Sequence, residues 1–177
     1  MKWFGISGSW RKTNREIEKN VRLIVREIMA RGDGIVSGGA LGVDHFALDE
    51  AMKKDPAAER IRIFLPTTLE VYAGHYRRHA LLGSIKRERA EELINQLIRL
   101  KKINPDALIE DPDEDFGEET KKRKYYERNS AVIDASDELV AFLVRTRESE
   151  GGGTRDAVRK AKAKGITVRL FEYDLTA

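Results

Sequence analysis

The sequence contains no cysteine and only three histidines among its 177 residues. Without cysteine, no disulfide, thiolate nucleophile or cysteine-ligated zinc can form, which favours a reducing compartment such as the cytoplasm. His75 and His79 have the i,i+4 spacing of a zinc-binding helix, but no intervening glutamate or third ligand accompanies them. The pattern therefore favours a surface pair, and we expect no metal site. No segment approaches the ~18 apolar residues of a membrane span or forms the hydrophobic region of a signal peptide, so we expect a cytoplasmic protein with no membrane partner.

Neither sign of charge is in large excess, because 33 Lys and Arg residues are balanced by 30 Asp and Glu residues, for a formal net charge of +3. This balance permits an anionic ligand but does not require one. A net charge of +3 is small for a protein that holds a long polyanion. The hydrophobic fraction of 41% and the charged fraction of 36% are typical of a globular protein with a heavily charged surface. The length favours one domain, spanning 1–177.

Apolar runs of strand length alternate with segments of helical periodicity, which indicates β-α-β crossovers. The expected strands are 2–7, a short one beginning at 35–36, 60–65, 138–144 and 166–171, and the expected helices are 14–30, 43–52, 79–103 (as one helix or two), 125–135 and one that ends at 164. The sequence therefore predicts an α/β, doubly wound, mainly parallel sheet with helices on both faces. Residues at about 75–120 break the alternation and include an acidic loop at 105–120, so we expect a helical insertion there.

Three bends share one arrangement, in which a strand is followed by small residues and then by a helix. The expected ligand-binding residues at these bends are Gly8, Ser9, Ser37, Gly38, Gly39, Gly42, Gly151, Gly152, Gly153 and Thr154. The carboxyl ends of parallel strands meet at one edge of the sheet, where open α/β sheets bind their ligands. A helix N-terminus attracts phosphate there, and glycine lets it approach the backbone. No bend matches the Walker or GxGxxG pattern, so a standard nucleoside triphosphatase or dinucleotide site is not indicated.

The motifs at these bends resemble a known superfamily. They are Gly5-Ile6-Ser7-Gly8-Ser9 with Thr13, Ser37-Gly38-Gly39-Ala40-x-Gly42-Val43-Asp44, Tyr126-Glu127-Arg128-Asn129, Ser136-Asp137-Glu138-Leu139-Val140, and Gly151-Gly152-Gly153-Thr154. Together they resemble the SMF/DprA–LOG (SLOG) superfamily over most of the chain outside roughly 70–120. The resemblance implies a Rossmann-like fold, a nucleotide or phosphate-bearing ligand with no required cofactor, and a homo-oligomer such as a dimer. It also places Asp44, Arg128 and Asn129 at the site.

One branch of the superfamily, the LOG-type phosphoribohydrolases, cleaves nucleoside 5'-monophosphates with a catalytic Arg and Glu. Arg128 matches the Arg of that pattern, but Asn129 stands where the following Lys is expected and Ala157 stands where the Glu is expected. Because a carboxylate is needed to stabilise the cationic sugar or activate water, this departure argues against the activity. Asp156 or Glu150 could substitute from a shifted position. Whether the chain is an enzyme stays open, and Arg128 and Asp156 are the catalytic candidates.

The other branch, the DprA-like proteins, binds single-stranded DNA and shares the SGGAxGxD turn and the Arg128-Asn129 pair. Such proteins usually carry further domains, so this chain is interpreted as a stand-alone module that binds a nucleotide-type small molecule, with single-stranded DNA as an alternative partner. Asp44 either accepts a hydrogen bond from a ribose hydroxyl or binds the backbone of its own helix. The proposed contacts also include basic residues for phosphate and aromatic residues for a base: Arg11, Lys12, Arg77 and Arg78, and Trp10, Tyr72 and Tyr76.

Overall fold

The computed structural model describes residues 1–177 and forms one six-stranded sheet with helices between the strands. The strands are β1 (Trp3–Gly8), β2 (Gly34–Ser37), β3 (Ile61–Leu65), β4 (Leu108–Glu110), β5 (Glu138–Arg145) and β6 (Thr167–Asp174). The helices are α1 (Arg15–Ala30), α2 (Val43–Lys54), α3 (Leu69–Leu81), α4 (Arg87–Ile103), α5 (Lys121–Asp134) and α6 (Gly152–Lys164), with one 3-10 turn at Pro105–Ala107. None of the six helices combines the length and apolarity that crossing a membrane requires.

The sheet is parallel throughout, with strand order β4-β3-β2-β1-β5-β6. The chain builds outward from β1 to β4 and then returns to place β5 on the other side of β1. The order therefore reverses between β1 and β5, and such a switch point opens a crevice at the carboxyl ends of the strands. This topology confirms the predicted α/β, Rossmann-like, doubly wound class.

Helices cover both faces of the sheet, as alternate residues of β5 show. Val140, Phe142 and Val144 belong to a core of 32 buried residues shared with α1, α2, α3 and α4. Leu139 and Ala141 belong to a smaller core of five buried residues shared with α5 and α6. Because successive side chains of a strand point to opposite faces, the two cores lie on opposite sides of the sheet.

The middle of the chain differs in two details from the sequence expectation. Of the two alternatives for 79–103, the structure shows two helices, because α3 ends at Leu81 and Gly83 takes a left-handed φ of 79° before α4 begins; the first of them starts at Leu69, ten residues before the expected start. Strand β4, paired with β3, lies inside the segment 105–120 that was expected to be a loop. Three residues are too few to show the period-2 pattern of a strand, which explains the omission. The segment at about 75–120 contains most of α3, all of α4 and this edge strand.

Candidate functional site

A cavity of about 470 Å³ opens at the switch point between β1 and β5. Its walls come from the turn after β1, the turn after β2, the loop before α6, and the facing sides of α3 and α5. Of the expected ligand-binding residues, the cavity is lined by Gly8, Ser9, Gly38, Asp44, Arg128, Asn129, Gly151, Gly152, Gly153 and Thr154. The structure thus brings parts of all three predicted bends to one site.

The N-terminus of α6 is the most open part of this site. Gly151 adopts a left-handed φ of 80° and no side chain caps the helix. The backbone N–H groups of Gly152, Gly153 and Thr154 have no hydrogen-bond acceptor within the protein. Space beside both helical glycines is free of other atoms within 4 Å. Because unpaired N–H groups and the helix dipole both favour negative charge, this terminus is suited to an anion.

The first bend is closed by the protein's own groups. Asn14 Oδ1 accepts a hydrogen bond from the Ile17 N–H at 2.9 Å and thereby caps α1. Ser9 Oγ accepts one from the Lys12 N–H at 3.3 Å, and a Cβ on Gly8 would approach Val43 to 2.5 Å. Gly8 therefore allows β1 to pack closely against α2, and Asn14 already occupies the N-cap position of α1.

The second bend is partly buried beneath the cavity. Ser37 is fully buried, and its Oγ donates to the carbonyl oxygen of Ile6 at 3.1 Å. Gly39 and Gly42 adopt left-handed φ values of 63° and 74°, and a Cβ on Gly42 would overlap the carbonyl oxygen of Ser9. Ser37, Gly39 and Gly42 therefore shape the turn from below, and none of them lines the cavity.

Asp44 and Arg128 form the floor of the cavity together with Gly38. Asp44 is 6% exposed, and its Oδ2 accepts a hydrogen bond from the Ala40 N–H at 3.2 Å. Burial raises the pKa of Asp44, and the positive charge of Arg128 and nearby hydrogen bonds oppose that rise. Arg128 Nη1 donates to the carbonyl oxygen of Gly38. Asp44 lies in the first turn of α2 and binds a backbone N–H of the turn that precedes the helix, while it also lines the cavity. The expected contact with a ribose hydroxyl stays a prediction.

Asp156, a catalytic candidate, does not line the cavity but lies behind Asn129, which does. Its carboxylate accepts hydrogen bonds from Asn129 Nδ2 at 3.2 Å and Lys160 Nζ at 2.8 Å, and it also pairs with Arg159. Burial alone would raise the pKa of Asp156, but these donors outweigh it and lower the pKa. Ala157 instead lines the cavity, so the position that the resemblance assigns to a catalytic Glu carries only a methyl group.

Two exposed aromatic rings stand at the cavity wall. Trp10 is 41% exposed with the Arg11 guanidinium 4.7 Å from its ring centre, and Tyr126 is 37% exposed with the Lys160 ammonium 5.5 Å away. Tyr72 does not offer a stacking face, because it is 1% exposed and donates its hydroxyl to the Gly39 carbonyl oxygen at 3.1 Å. That part of the sequence prediction is wrong.

Sequence reasoning missed much of the wall supplied by α5. The lining residues of this helix are Lys121, Lys122, Tyr125, Tyr126, Arg128, Asn129 and Val132. Their spacing of three and four residues places them on one helical face, and this periodicity was the available signal. The two histidines His75 and His79 of α3 also line the cavity, although the sequence favoured a surface pair.

No protein-family model matches the chain, and no curated protein matches it in sequence. Solved structures do match. DNA processing protein A from Helicobacter pylori, described with its single-stranded DNA binding mode, superposes with a TM-score of 0.63 at 20% identity, covering 98% of this chain and 66% of that one. DNA processing protein A from Streptococcus pneumoniae superposes with a TM-score of 0.59 at 15% identity, covering 96% of this chain and 50% of that one. The molybdenum cofactor binding protein from Rippkaea orientalis superposes with a TM-score of 0.59 at 18% identity, covering 98% of this chain and 78% of that one.

These likenesses establish the fold. The chain adopts the Rossmann-like fold of DNA processing protein A and the molybdenum cofactor binding protein, as its motifs predicted. It spans between half and two thirds of the length of the two DNA processing proteins.

Proposed function

We propose that the cavity binds a nucleotide or a related phosphorylated ligand, with its phosphate at the N-terminus of α6. The observation that carries this proposal is the set of unpaired N–H groups at Gly152, Gly153 and Thr154, opening into a cavity of about 470 Å³. Small-molecule sites commonly measure roughly 300–1,000 Å³, so the space suits a mononucleotide. Trp10 or Tyr126 supplies a ring on which a base stacks.

The charge of the lining supports an anionic ligand. Four Arg and Lys side chains line the cavity, against Asp44 as the one carboxylate. These basic residues are Arg11, Lys121, Lys122 and Arg128. Although the whole chain carries a net charge of only +3, this edge of the sheet concentrates positive charge where a phosphate is expected.

A second candidate function, binding of single-stranded DNA, is favoured by the exposed rings with cations beside them. Trp10 with Arg11 and Tyr126 with Lys122, whose ammonium lies 5.9 Å from the ring centre, combine stacking and phosphate contacts, as proteins that bind single strands do. One protein of similar fold is described with its single-stranded DNA binding mode, and another is a molybdenum cofactor binding protein, so ligands of both sizes are compatible with this architecture.

Cleavage of a nucleotide is the least supported alternative. Ala157 offers no carboxylate, Asp156 is held in ion pairs outside the cavity, and Asp44 is bonded to the backbone. Incubation with nucleoside monophosphates and assay for free base tests this alternative directly. We expect no free base to form.

Isothermal titration with adenosine 5'-monophosphate, guanosine 5'-monophosphate and adenosine tests the proposed function. We expect the monophosphates to bind and adenosine to bind at least about tenfold more weakly, a difference of about 1.4 kcal/mol. Gly153→Asp places a negative charge at the helix N-terminus, where it favours folding but repels phosphate. We expect it to abolish monophosphate binding.

Gly74→Asp is the matched control, because Gly74 is exposed, has the same free space and does not line the cavity. Equal affinity of the Gly153→Asp and Gly74→Asp proteins for the monophosphates would refute the assignment of the phosphate to α6. If only an oligonucleotide of about ten residues binds, with an affinity that falls steeply as salt rises, the second candidate is correct.

A further inference from the structure

A second group of nitrogen-bearing side chains, two imidazoles and two lysine ammonium groups, lines the cavity away from α6. It consists of His75 and His79 on α3 and Lys121 and Lys122 at the start of α5, and we refer to it as the histidine–lysine cluster. The two imidazole rings meet edge to face with centroids 4.4 Å apart. His75 is further held against Phe116, with ring centroids 5.0 Å apart. The cluster is thus a built feature of the wall formed by packed rings.

Lys121 and Lys122 supply the positive charge of the cluster, whereas His75 is neutral because burial lowers its pKa to about 4. Lys122 forms no ion pair, and Lys121 pairs only with the exposed Glu118, at 2.9 Å. No side chain caps α5, and the backbone N–H groups of Lys122 and Arg123 have no acceptor within the protein. Basic side chains and an uncapped helix N-terminus therefore coincide, and both favour an anion. A metal fits poorly, since no third His, Cys, Asp or Glu completes a ligand set.

The rise along helix α5 gives the distance between the histidine–lysine cluster and the phosphate position at α6. Asn129 bonds to Asp156 in the early part of α6 at 3.2 Å, so this turn of α5 lies beside α6. Lys121 precedes Asn129 by eight residues on the same helix, and at 1.5 Å per residue the two lie on the order of 10 Å apart. Two phosphorus atoms that share one bridging oxygen are too close together to occupy both positions.

We propose that the histidine–lysine cluster is a second anion subsite, and that the ligand is a small nucleotide with phosphate groups on opposite sides of a nucleoside, as in a nucleoside 3',5'-bisphosphate. This inference rests on the proposed function, because the first phosphate occupies the N-terminus of α6. The bridging nucleoside lies between the two anion positions, against the wall that carries Tyr125, Tyr126 and Arg128.

The test compares adenosine 3',5'-bisphosphate with adenosine 5'-diphosphate and adenosine 5'-monophosphate by isothermal titration at one salt concentration. The first two probes are isomers that differ in where the second phosphate is attached, and the bisphosphate carries about one more negative charge at neutral pH, so the variants below assign the difference to the cluster. We expect the 3',5'-bisphosphate to bind at least about tenfold more tightly than either of the others. Equal affinity for the 3',5'-bisphosphate and the 5'-diphosphate would overturn the proposal.

Variants assign the effect to the cluster. Lys122→Glu reverses an exposed charge in the first turn of a helix, where an acidic residue is compatible with folding, and His79→Asn removes one imidazole. We expect each to reduce the advantage of the bisphosphate over the monophosphate by about three- to tenfold, whereas Lys19→Glu, an exposed charge reversal outside the cavity, leaves that advantage intact. An advantage that none of the cluster variants reduces contradicts the proposal.

Failure of this inference is distinguishable from failure of the proposed function. If the monophosphate binds, Gly153→Asp abolishes that binding and the 3',5'-bisphosphate is not preferred, the site at α6 is supported and the second subsite is refuted. Absence of binding by all three nucleotides removes both. Tighter binding of an oligonucleotide of about ten residues than of the bisphosphate overturns the assignment to a small ligand and identifies a single strand as the source of the two phosphates.

Discussion

Arg128 on α5 lies directly against Gly38 in the turn after β2 and donates its Nη1–H to the Gly38 carbonyl oxygen. A Cβ on Gly38 would lie 2.5 Å from Nη1 and 2.6 Å from Cζ of Arg128. The absent side chain at this glycine therefore makes room for a guanidinium of the protein itself. The contact ties α5 to the central strands and sets the floor of the cavity.

Gly38→Ala is expected to displace Arg128 and to lower the free energy of unfolding by roughly 1–3 kcal/mol, as overpacking does. Urea denaturation measures the loss. Gly74→Ala is the control, because space is free around that helical glycine and alanine favours a helix by up to ~1 kcal/mol. A Gly38→Ala protein as stable as the wild type would show that the guanidinium moves away without cost.

Asp44 and Arg128 are expected to be energetically coupled. Burial raises the pKa of Asp44, and the charge of Arg128 is the largest influence that opposes this rise. Arg128→Met should therefore destabilise the protein by roughly 1–3 kcal/mol more at neutral pH when Asp44 is present than in an Asp44→Asn background. A double-mutant cycle by chemical denaturation measures the coupling. Strict additivity of the two substitutions contradicts it.

Lys124 is expected to anchor the acidic segment 111–116. Although it is a lysine, its side chain is 1% exposed, and its Nζ donates to the carbonyl oxygen of Asp113 at 3.0 Å and pairs with the Asp113 carboxylate at 2.9 Å. Lys124→Met replaces a buried charge with an apolar chain of similar volume, so global stability should change by less than about 2 kcal/mol. Amide hydrogen exchange in 111–116 should accelerate, because the anchor is lost.

The exposed Arg123 of the same helix supplies the control for this experiment. Arg123→Met removes a surface ion pair with Glu127 and should leave exchange in 111–116 at the wild-type rate. Unchanged protection in the Lys124→Met protein would mean that other contacts hold the segment.

His75 should make stability depend on pH. Burial chiefly, followed by the charges of His79 and Lys121, lowers the pKa of His75 from 6.5 to about 4, while Glu118 acts in the opposite direction and Arg78 adds to the lowering. Between about pH 4 and 6.5 the unfolded state binds more protons at this position than the folded state. The contribution of neutral His75 is thus complete above about pH 6.5 and is lost as the pH falls toward 4.

Comparison of wild type with His75→Gln checks this dependence. We expect the free energy of unfolding of the wild type to fall more steeply between about pH 6.5 and 4.5, because glutamine does not titrate there. Carboxylates that do not interact with His75 affect both proteins equally and cancel in the difference, and Glu118 is the carboxylate that acts on it. Parallel pH profiles of the two proteins would contradict a lowered pKa for His75.

The sequence revealed most of the fold because its long elements show clear periodicity. In α1, Ile17, Val21, Ile24 and Ile28 repeat at helical spacing, and all four are buried. The apolar run of β5 likewise matches a central strand covered on both faces. Strand β4 escaped detection because three residues that pair at the edge of the sheet are selected by tertiary contact rather than by their own pattern.

The site was harder to predict, because a glycine in the sequence does not say what fills the space it leaves. Gly38 makes room for Arg128, and Gly8 and Gly42 make room for neighbouring parts of the protein, whereas Gly152 and Gly153 face empty space. Only the three-dimensional arrangement separates these cases. Helix α2 after the second bend also lacks a side-chain cap, but a Cβ on Gly42 would overlap the carbonyl oxygen of Ser9. Of the three predicted bends, the one before α6 is thus the one whose helix N-terminus carries glycines with free space beside them.

The most direct test of the central claim is the response of glycine amides in a ¹H–¹⁵N correlation spectrum. Titration with adenosine 5'-monophosphate should shift the amide signals of Gly152 and Gly153, since their N–H groups gain phosphate as an acceptor, while those of Gly117 and Gly165, outside the cavity, stay in place. Adenosine without phosphate should leave Gly152 and Gly153 unshifted. Unmoved signals for these two glycines with saturating monophosphate, or identical shifts with adenosine, would contradict a phosphate site at the N-terminus of α6.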